Sequence, residues 1–376
     1  MRVALVCDWF LPRMGGIELH LRDLALALRA TGVDARVITT TRGAAEVDGV
    51  PVHRVASPLL PGSGVALSPS LAGRIERVLR DEKFDLVHAH ASVVSPVAYA
   101  GAIAGARAQR PTVLTFHSML HQSSMLLAAS DGLFGWSRHV VLSAVSSVVA
   151  AQAARWMPEA SVDVLPNAID SAFWRHAVHV GGGEKGVHIV SAMRLSRKKR
   201  PLFLVRAFAE AVRFVAGAPA LRLTIAGDGP DRAAIVRLAA ELGIAERVAL
   251  PGHLTREELR ALYARADVFV LPSERESFGI AALEARTAGL PVIAMLGGGA
   301  RDFIAHGVNG LLAANERELG QFLSRLALDQ PLRLFMAHRN RSHPTDYDWS
   351  AVVVLHRAIY RAAVTARDAP ARANQA

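Results

Sequence analysis

A two-unit α/β protein built on parallel sheets is what this sequence predicts, and three observations carry the prediction. Short apolar runs rich in Val, Ile and Leu alternate with stretches of helical periodicity. The same grammar restarts after a glycine-rich break. The length, 376 residues, exceeds what one ordinary core accommodates.

In the first half, residues 3–7, 35–39, 85–89 and 112–116 read as strands covered on both faces. Between the first two, Ile17, Leu21, Leu24, Ala25 and Leu28 fall at i, i+4, i+7, i+8 and i+11, and Gly32 is placed as a helix stop. The break is Val180 to Gly186, where Gly181, Gly182 and Gly183 adjoin Glu184 and Lys185. Beyond it, Val187 to Ala192, Leu221 to Ala226, Arg247 to Leu250, Val268 to Leu271 and Pro291 to Ala294 are the next strands. The expected division is residues 1–175 and 187–345, with a final helix over about 350–366 that packs on either unit and a frayed tail from Asp368. Ligands of such sheets bind outside the carboxyl ends of the strands, so a cleft between the units is the expected site.

Composition narrows the classes. Hydrophobic residues at 51% and charged residues at 20% belong to a folded globular chain. Cys7 is the lone cysteine, which excludes an internal disulfide and fits a cytoplasmic protein. The weakly polar stretch Val140 to Ala154 is interrupted by Ser143, Ser146, Ser147 and Gln152 and falls short of the ~20 apolar residues of a membrane span. Residues 1–175 carry 16 basic and 14 acidic side chains, net +2; residues 176–376 carry 27 and 19, net +8. A basic second half suits an anionic ligand. Aromatic residues amount to 6% without interleaved basic tracts, so a phosphorylated small molecule is expected there, not a nucleic acid.

The run Arg194-Leu195-Ser196-Arg197-Lys198-Lys199-Arg200-Pro201 follows a strand, and Pro201 suits the first position of a helix. Cations at a helix N-terminus oppose its dipole at ~0.3–1 kcal/mol each. Five of them suggest that Arg194 and Lys199 hold a diphosphate and neutralise a leaving group; a solvated basic loop is the plain alternative. A second constellation, Glu276-Ser277-Phe278-Gly279 with Glu284, follows the strand Val268 to Leu271. Its carboxylates could accept hydrogen bonds from sugar and ribose hydroxyls, act as a hydrolase pair, or be surface charges. Gly15-Gly16 precedes the first helix and could bring amides against a phosphate, although the G-x-G-x-x-G fingerprint is absent and a simple turn would suffice. Gly227-Asp228-Gly229-Pro230 reads as a tight turn at a strand's end.

Taken in order, Arg194-Leu195 with Lys199, Gly227-Asp228-Gly229-Pro230, Glu276-x7-Glu284 and Gly298-Gly299 resemble the retaining glycosyltransferases of family 4. Gly15-Gly16-Ile17-Glu18, Val87-His88-Ala89-His90, Thr115-Phe116-His117 and Pro166-Asn167-Ala168-Ile169-Asp170 extend the resemblance through the first half, so that it covers nearly all of the chain to about residue 310. The resemblance implies the GT-B architecture, two Rossmann-like domains with acceptor bound mainly by the first and a UDP- or GDP-sugar mainly by the second. It implies that Arg194 and Lys199 contact the donor diphosphate and that Glu284 binds the ribose. Glu276, with backbone amides around Ser277, Phe278 and Gly279, would hold the transferred sugar, and Gly227 belongs to the same donor site. His117 would approach the sugar from the first domain, and Gly15 and Gly16 would close over the phosphates. No metal and no cofactor beyond the nucleotide-sugar substrate are implied. A nucleotide-sugar epimerase and a non-catalytic nucleotide-sugar-binding module are the alternatives; the missing glycine fingerprint weakens a nicotinamide dehydrogenase.

Two departures stand out: Met193 where the family commonly has glycine, and Gly298-Gly299-Ala300-Arg301-Asp302 where it has Gly-Gly-x-Pro-Glu. Met119, Leu120, Met125, Leu126, Leu127, Phe134 and Trp136 form an apolar segment that suits either core packing or a lipid acceptor at the inner membrane surface, since related enzymes glycosylate phosphatidylinositol and other lipids. At most one of His88 and His90 is expected to face the ligand, and Asp346-Tyr347-Asp348 reads as a helix cap, not a metal site.

Overall fold

The computed structural model describes residues 1–60, 64–66, 68–92, 94–120, 139–175, 186–215 and 220–368. They form two compact units: Met1–Ala168 with the C-terminal stretch from Trp349, and Ile169–Asp348.

The first unit carries an eight-stranded sheet of β1 (Arg2–Cys7), β2 (Asp34–Thr39), β3 (Glu46–Val47), β4 (Val50–Arg54), β5 (Leu86–Ala91), β6 (Thr112–Phe116), β7 (Val141–Ala144) and β8 (Val162–Val164), in the order β3-β4-β2-β1-β5-β6-β7-β8. Every pairing is parallel except the β3–β4 hairpin, which turns through Asp48 and Gly49, both with positive φ. Val3, Leu5, Ala35, Val37, Leu86 and Val113 are fully buried, as strands covered on both faces require. Helix α1 (Gly16–Ala30) buries Leu21, Leu24, Ala25 and Leu28 in the same core and ends before Gly32, whose φ of +83° is the left-handed stop read from sequence. The last helix, Trp349–Asp368, adds Val353, Ile359, Tyr360 and Ala363 to that core.

The second unit carries a six-stranded, wholly parallel sheet of β9 (Val187–Ala192), β10 (Leu221–Ala226), β11 (Val248–Gly252), β12 (Val268–Leu271), β13 (Val292–Met295) and β14 (Gly310–Ala313), in the order β11-β10-β9-β12-β13-β14. In both sheets the strand order reverses beside the first strand, between β1 and β5 and between β9 and β12. These are the topological switch points where α/β sheets accept ligands.

The structure adds strands that the sequence reading lacked: Glu46–Val47, Val50–Arg54, Val141–Ala144, Val162–Val164 and Gly310–Ala313. Each is five residues or fewer, and Glu46, Pro51, Ser143, Asp163 or Gly310 stands in it. The stretch Val140 to Ala154 resolves into strand β7 and a helix from Ser147, capped by the Ser146 side chain on the Val149 amide. Met119 and Leu120 are buried, whereas Met125, Leu126, Leu127, Phe134 and Trp136, residues 180–185 of the expected linker and residues 369–376 of the tail lie outside the described residues.

Candidate active site

In the second unit the chain leaves β9 through the basic run. A 3-10 turn, Arg197–Lys199, is followed by Arg200 in the left-handed region at φ +60°, and the helix α6 (Pro201–Phe214) begins at Pro201. Proline disfavours a right-handed helical residue before it, which separates the turn from the helix. A non-glycine residue at positive φ costs on the order of 1–3 kcal/mol and persists where its surroundings hold it. Arg200 is held on three sides, by ion pairs to Glu274, at 2.8 Å, and to Glu316, and by its guanidinium lying 4.7 Å from the centre of the Phe203 ring.

The same loop is stitched to its neighbour. Leu195 N–H donates to Asp228 O at 2.9 Å and Asp231 N–H donates to Leu195 O at 3.0 Å. A Cβ at Gly227 would collide with the Met193 carbonyl, and one at Gly229 with the Leu195 carbonyl; both glycines have positive φ. Gly227 therefore has a packing duty that accounts for its presence, since only glycine lets the β9 and β10 loops touch here.

Across the switch point, the segment after β12 brings Glu276 to the basic loop. Lys199 Nζ donates to Glu276 Oε2 at 2.6 Å, joining residues 77 apart in the chain. Glu276 is 8% exposed, while 31% of the Lys199 side chain remains open. Arg194 is exposed and has no ion-pair partner among the described residues. The crowded cations are thus balanced partly from within: Glu274, Glu276 and Glu316 answer Arg200 and Lys199.

Glu276 is followed by Ser277, Phe278 and Gly279, and Gly279, at φ +95°, opens the helix α9 (Ile280–Thr287). The Phe278 ring turns into an aromatic cluster with Phe303 and Tyr347, at 5.4 and 5.6 Å between ring centres. Its side chain belongs to the core, leaving only its backbone to a ligand. Gly299 N–H donates to Glu276 O at 2.8 Å, and a Cβ at Gly299 would strike the Ser277 carbonyl, so the Gly298-Gly299 turn clamps the glutamate loop. Glu284 is buried in α9 close to Tyr263, whose phenol pKa is raised by burial and then by that carboxylate.

In the first unit, Gly15 precedes α1 in extended conformation, and a Cβ there would meet the Glu18 carboxylate, which lies back over the helix start and pairs with Arg13 at 3.5 Å. Gly16 faces open space. His117 follows β6, is 5% exposed, and shares a proton between its Nε2 and His90 Nδ1 at 2.9 Å. His88 and His90 lie on one face of β5 with ring centres 4.0 Å apart, because the strand stays regular. His88 Nδ1 meets the Tyr360 hydroxyl at 2.9 Å and Nε2 the Thr115 hydroxyl at 2.6 Å. His20, stacked on Trp349, and His356, bonded to Val352 O, complete a buried group of five histidines. Burial lowers every one of their pKa values, His117 to about 3 and His356 to about 4.

Asp8 was missed by the sequence reading. It leaves the carboxyl end of β1, is 3% exposed, and accepts hydrogen bonds from the Val97 and Ala98 amides at the start of the helix Pro96–Arg107. Burial raises its carboxyl pKa to about 6 against the pull of those amides. Its position just past an apolar strand was the available signal. His20 and His356 carried none, sitting among ordinary helical positions. Asp348 accepts from the Ser171 amide at 3.0 Å.

Residues 14–173 match the family model described as Glycosyltransferase Family 4, and residues 178–343 the model described as Glycosyl transferases group 1. A GDP-mannose-dependent alpha-(1-6)-phosphatidylinositol monomannoside mannosyltransferase of Mycolicibacterium smegmatis is 30% identical over 328 residues, spanning 82% of this chain and 84% of the relative. A D-inositol 3-phosphate glycosyltransferase of the same organism is 30% identical over 382 residues, spanning 90% and 84%. Among solved structures, Anabaena HepE in complex with UDP shares the fold, with a TM-score of 0.76 at 21% identity over 97% of this chain and all of that one. With two parallel-sheet units in this topology and relatives matched over most of its length, the chain belongs to glycosyltransferase family 4, with the GT-B fold of two Rossmann-like domains, and is a glycosyltransferase.

Proposed function

We propose that this glycosyltransferase moves a hexose from a UDP- or GDP-sugar to a polyol or lipid-borne acceptor, with retention of configuration and without a metal ion. The observation that carries the reading is the Lys199–Glu276 pair at the switch point of the second sheet, with Arg194 exposed on the same loop. Lys199 and Arg194 supply the positive charge that a departing diphosphate requires, the role a metal takes in other phosphoryl chemistry. Glu276 holds Lys199 in place and has its other oxygen for a sugar hydroxyl. Amides at Ser277 to Gly279 lie at a helix N-terminus, where donors are left over by helix geometry. Glu284 takes the ribose hydroxyls, Gly15 and Gly16 approach the phosphates, and His117 hydrogen-bonds the transferred sugar.

In this scheme the anomeric carbon loses the diphosphate and gains the acceptor oxygen on the same face, and the departing phosphate oxygen takes the acceptor proton. Glu276 forms no covalent bond. The first unit is assigned the acceptor and the second the donor. An inositol-type acceptor, free or lipid-linked, is favoured by the activities for which the two Mycolicibacterium relatives are named. No helix among the described residues is long and apolar enough to cross a membrane, and we place the enzyme in the cytoplasm, at the inner membrane face when the acceptor is a lipid.

The test is a panel of UDP- and GDP-sugars incubated with inositol phosphates and phosphatidylinositol vesicles in excess chelator, with the product's anomeric configuration read by proton NMR. An inverted product would discard retention, and activity that returns only with added divalent metal would discard metal independence.

A further inference from the structure

The hydrogen bond between His90 and His117 joins two imidazoles through a single proton, so one ring donates and the other accepts. The two arrangements are not equivalent. If His117 Nε2–H donates, His90 must carry its own proton on Nε2, and that atom is buried without a partner among the described residues. A buried N–H without a partner is rare in folded proteins, and leaving one unpaired costs the desolvation of a donor. If His90 Nδ1–H donates instead, the orphan is a bare lone pair, the milder of the two. Turning the His90 ring over would put a carbon where Nδ1 now meets His117 and lose that bond. The His90 ring lies 4.0 Å from that of His88, and His88 is itself held at both nitrogens by Tyr360 and Thr115.

We propose that His90 is a positioning residue that fixes the tautomer of His117, so that His117 carries its ring proton on Nδ1 and meets the sugar as a hydrogen-bond donor. The inference rests on the reading above that His117 contacts the transferred sugar. Free histidine favours the opposite tautomer, with the proton on Nε2, so the arrangement is one the protein imposes. His117 Nδ1 has no partner among the described residues and, unlike His90 Nε2, is not sealed from solvent. Burial among the other rings keeps both histidines neutral through the physiological range, so neither serves as an acid with a proton to spare. His117 is therefore a fixed dipole presented to a hydroxyl oxygen, and not a general base: its basic nitrogen is already occupied by His90.

The tautomer is read directly, without turnover, from long-range proton–nitrogen correlation spectra of the full chain labelled with nitrogen-15. His117→Gln serves to assign the His117 signals, and His90→Asn, whose amide can donate from near the position of Nδ1, gives a second assignment. The expected result is a protonated Nδ1 and a bare Nε2 on His117 in the unmutated enzyme and in His90→Asn. A shift toward protonated Nε2 is expected in His90→Ala. In parallel, kcat should fall about tenfold in His90→Ala with donor KM unchanged, and return to within about twofold in His90→Asn. A protonated Nε2 on His117 in the unmutated enzyme overturns the proposal whatever the kinetics, as does a His117 tautomer indifferent to His90→Ala. If the tautomer is as stated but His117→Gln turns over at the full rate, the use of His117 on the sugar is overturned while the fixing of its proton by His90 stands.

Discussion

Lys199 and Glu276 in the second unit and His90 and His117 in the first meet at similar distances, 2.6 and 2.9 Å, yet work in opposite surroundings. The lysine keeps nearly a third of its side chain open, so its charge costs little to maintain and is available to a ligand. The histidines are buried among three more imidazoles, where a charge would be expensive, and in the proposed arrangement they act through direction instead. In the proposed function one region would offer charge to a leaving group, and the other fixed dipoles. The contrast makes different demands on mutation and on pH.

The largest effect is expected from the charged region. Lys199→Ala removes a cation proposed to face the developing negative charge, and turnover should fall about 10²–10³-fold. Lys198→Ala, one residue away on the exposed face of the same turn, should leave kinetics within about twofold, because a solvated charge gains little from position. Donor titrations on the two variants separate a site from a basic loop. Equal effects would return the run to the plain reading of a solvated basic segment.

The histidine group should be felt next, through pH. His356 has a pKa of about 4 in the fold against 6.5 when free. A depressed folded value means that its contribution is present above 6.5 and is lost as pH falls toward 4. Between pH 7 and 5 this one residue should account for about 2 kcal/mol of lost stability. His356→Gln should flatten urea-unfolding free energies across that range by about this amount. A slope matching that of the unmutated protein would show that His356 is not held neutral.

Asp8 runs the other way and is smaller. Its pKa of about 6 lies above the ordinary 3.8, so its contribution is complete below 3.8 and lost as pH rises through 6. On going from pH 7 to 5 it should return about 1 kcal/mol. Asp8→Asn should therefore make the enzyme more acid-labile, not less, by about that amount. The same urea titration measures both residues, and a common sign for the two variants would contradict the assignment.

These regions were not equally legible in the sequence. Five strands of the second sheet follow from short runs rich in Val, Ile and Leu such as Val187 to Ala192 and Leu221 to Ala226, and Pro201 marked its helix start, because local physics suffices for both. The short strands Val162–Val164 and Gly310–Ala313 gain their stability from neighbours and leave no local trace. Lys199 could be singled out because cations at a helix start oppose its dipole, and Glu276 because it follows a strand, although their meeting across 77 residues could not. The histidine cluster was half visible as His88, His90 and His117. His20 and His356 join it only through the packing of two helices, one from each end of the chain, against the first sheet. Asp228, Gly227 and Gly229, read as a turn, proved to be a seam between two loops.

The smallest expected effect is also the one that best separates folding from function. Gly227 has positive φ and no room for a Cβ, so its presence is explained by packing alone; Gly16 has neither constraint, since it starts α1 with an ordinary φ and open space around it. Replacing such a glycine by alanine restricts the unfolded chain without straining the fold, and Gly16→Ala should stabilise the protein by about 0.5 kcal/mol. If Gly16 stands where a phosphate approaches the backbone, the added methyl should meanwhile raise the donor KM about threefold, since close approach is what glycine permits. A more stable enzyme with weaker donor binding would place Gly16 at the ligand. A gain in stability with unchanged KM would leave Gly15-Gly16 as the entry to a helix and confine donor recognition to the charged region of the second unit.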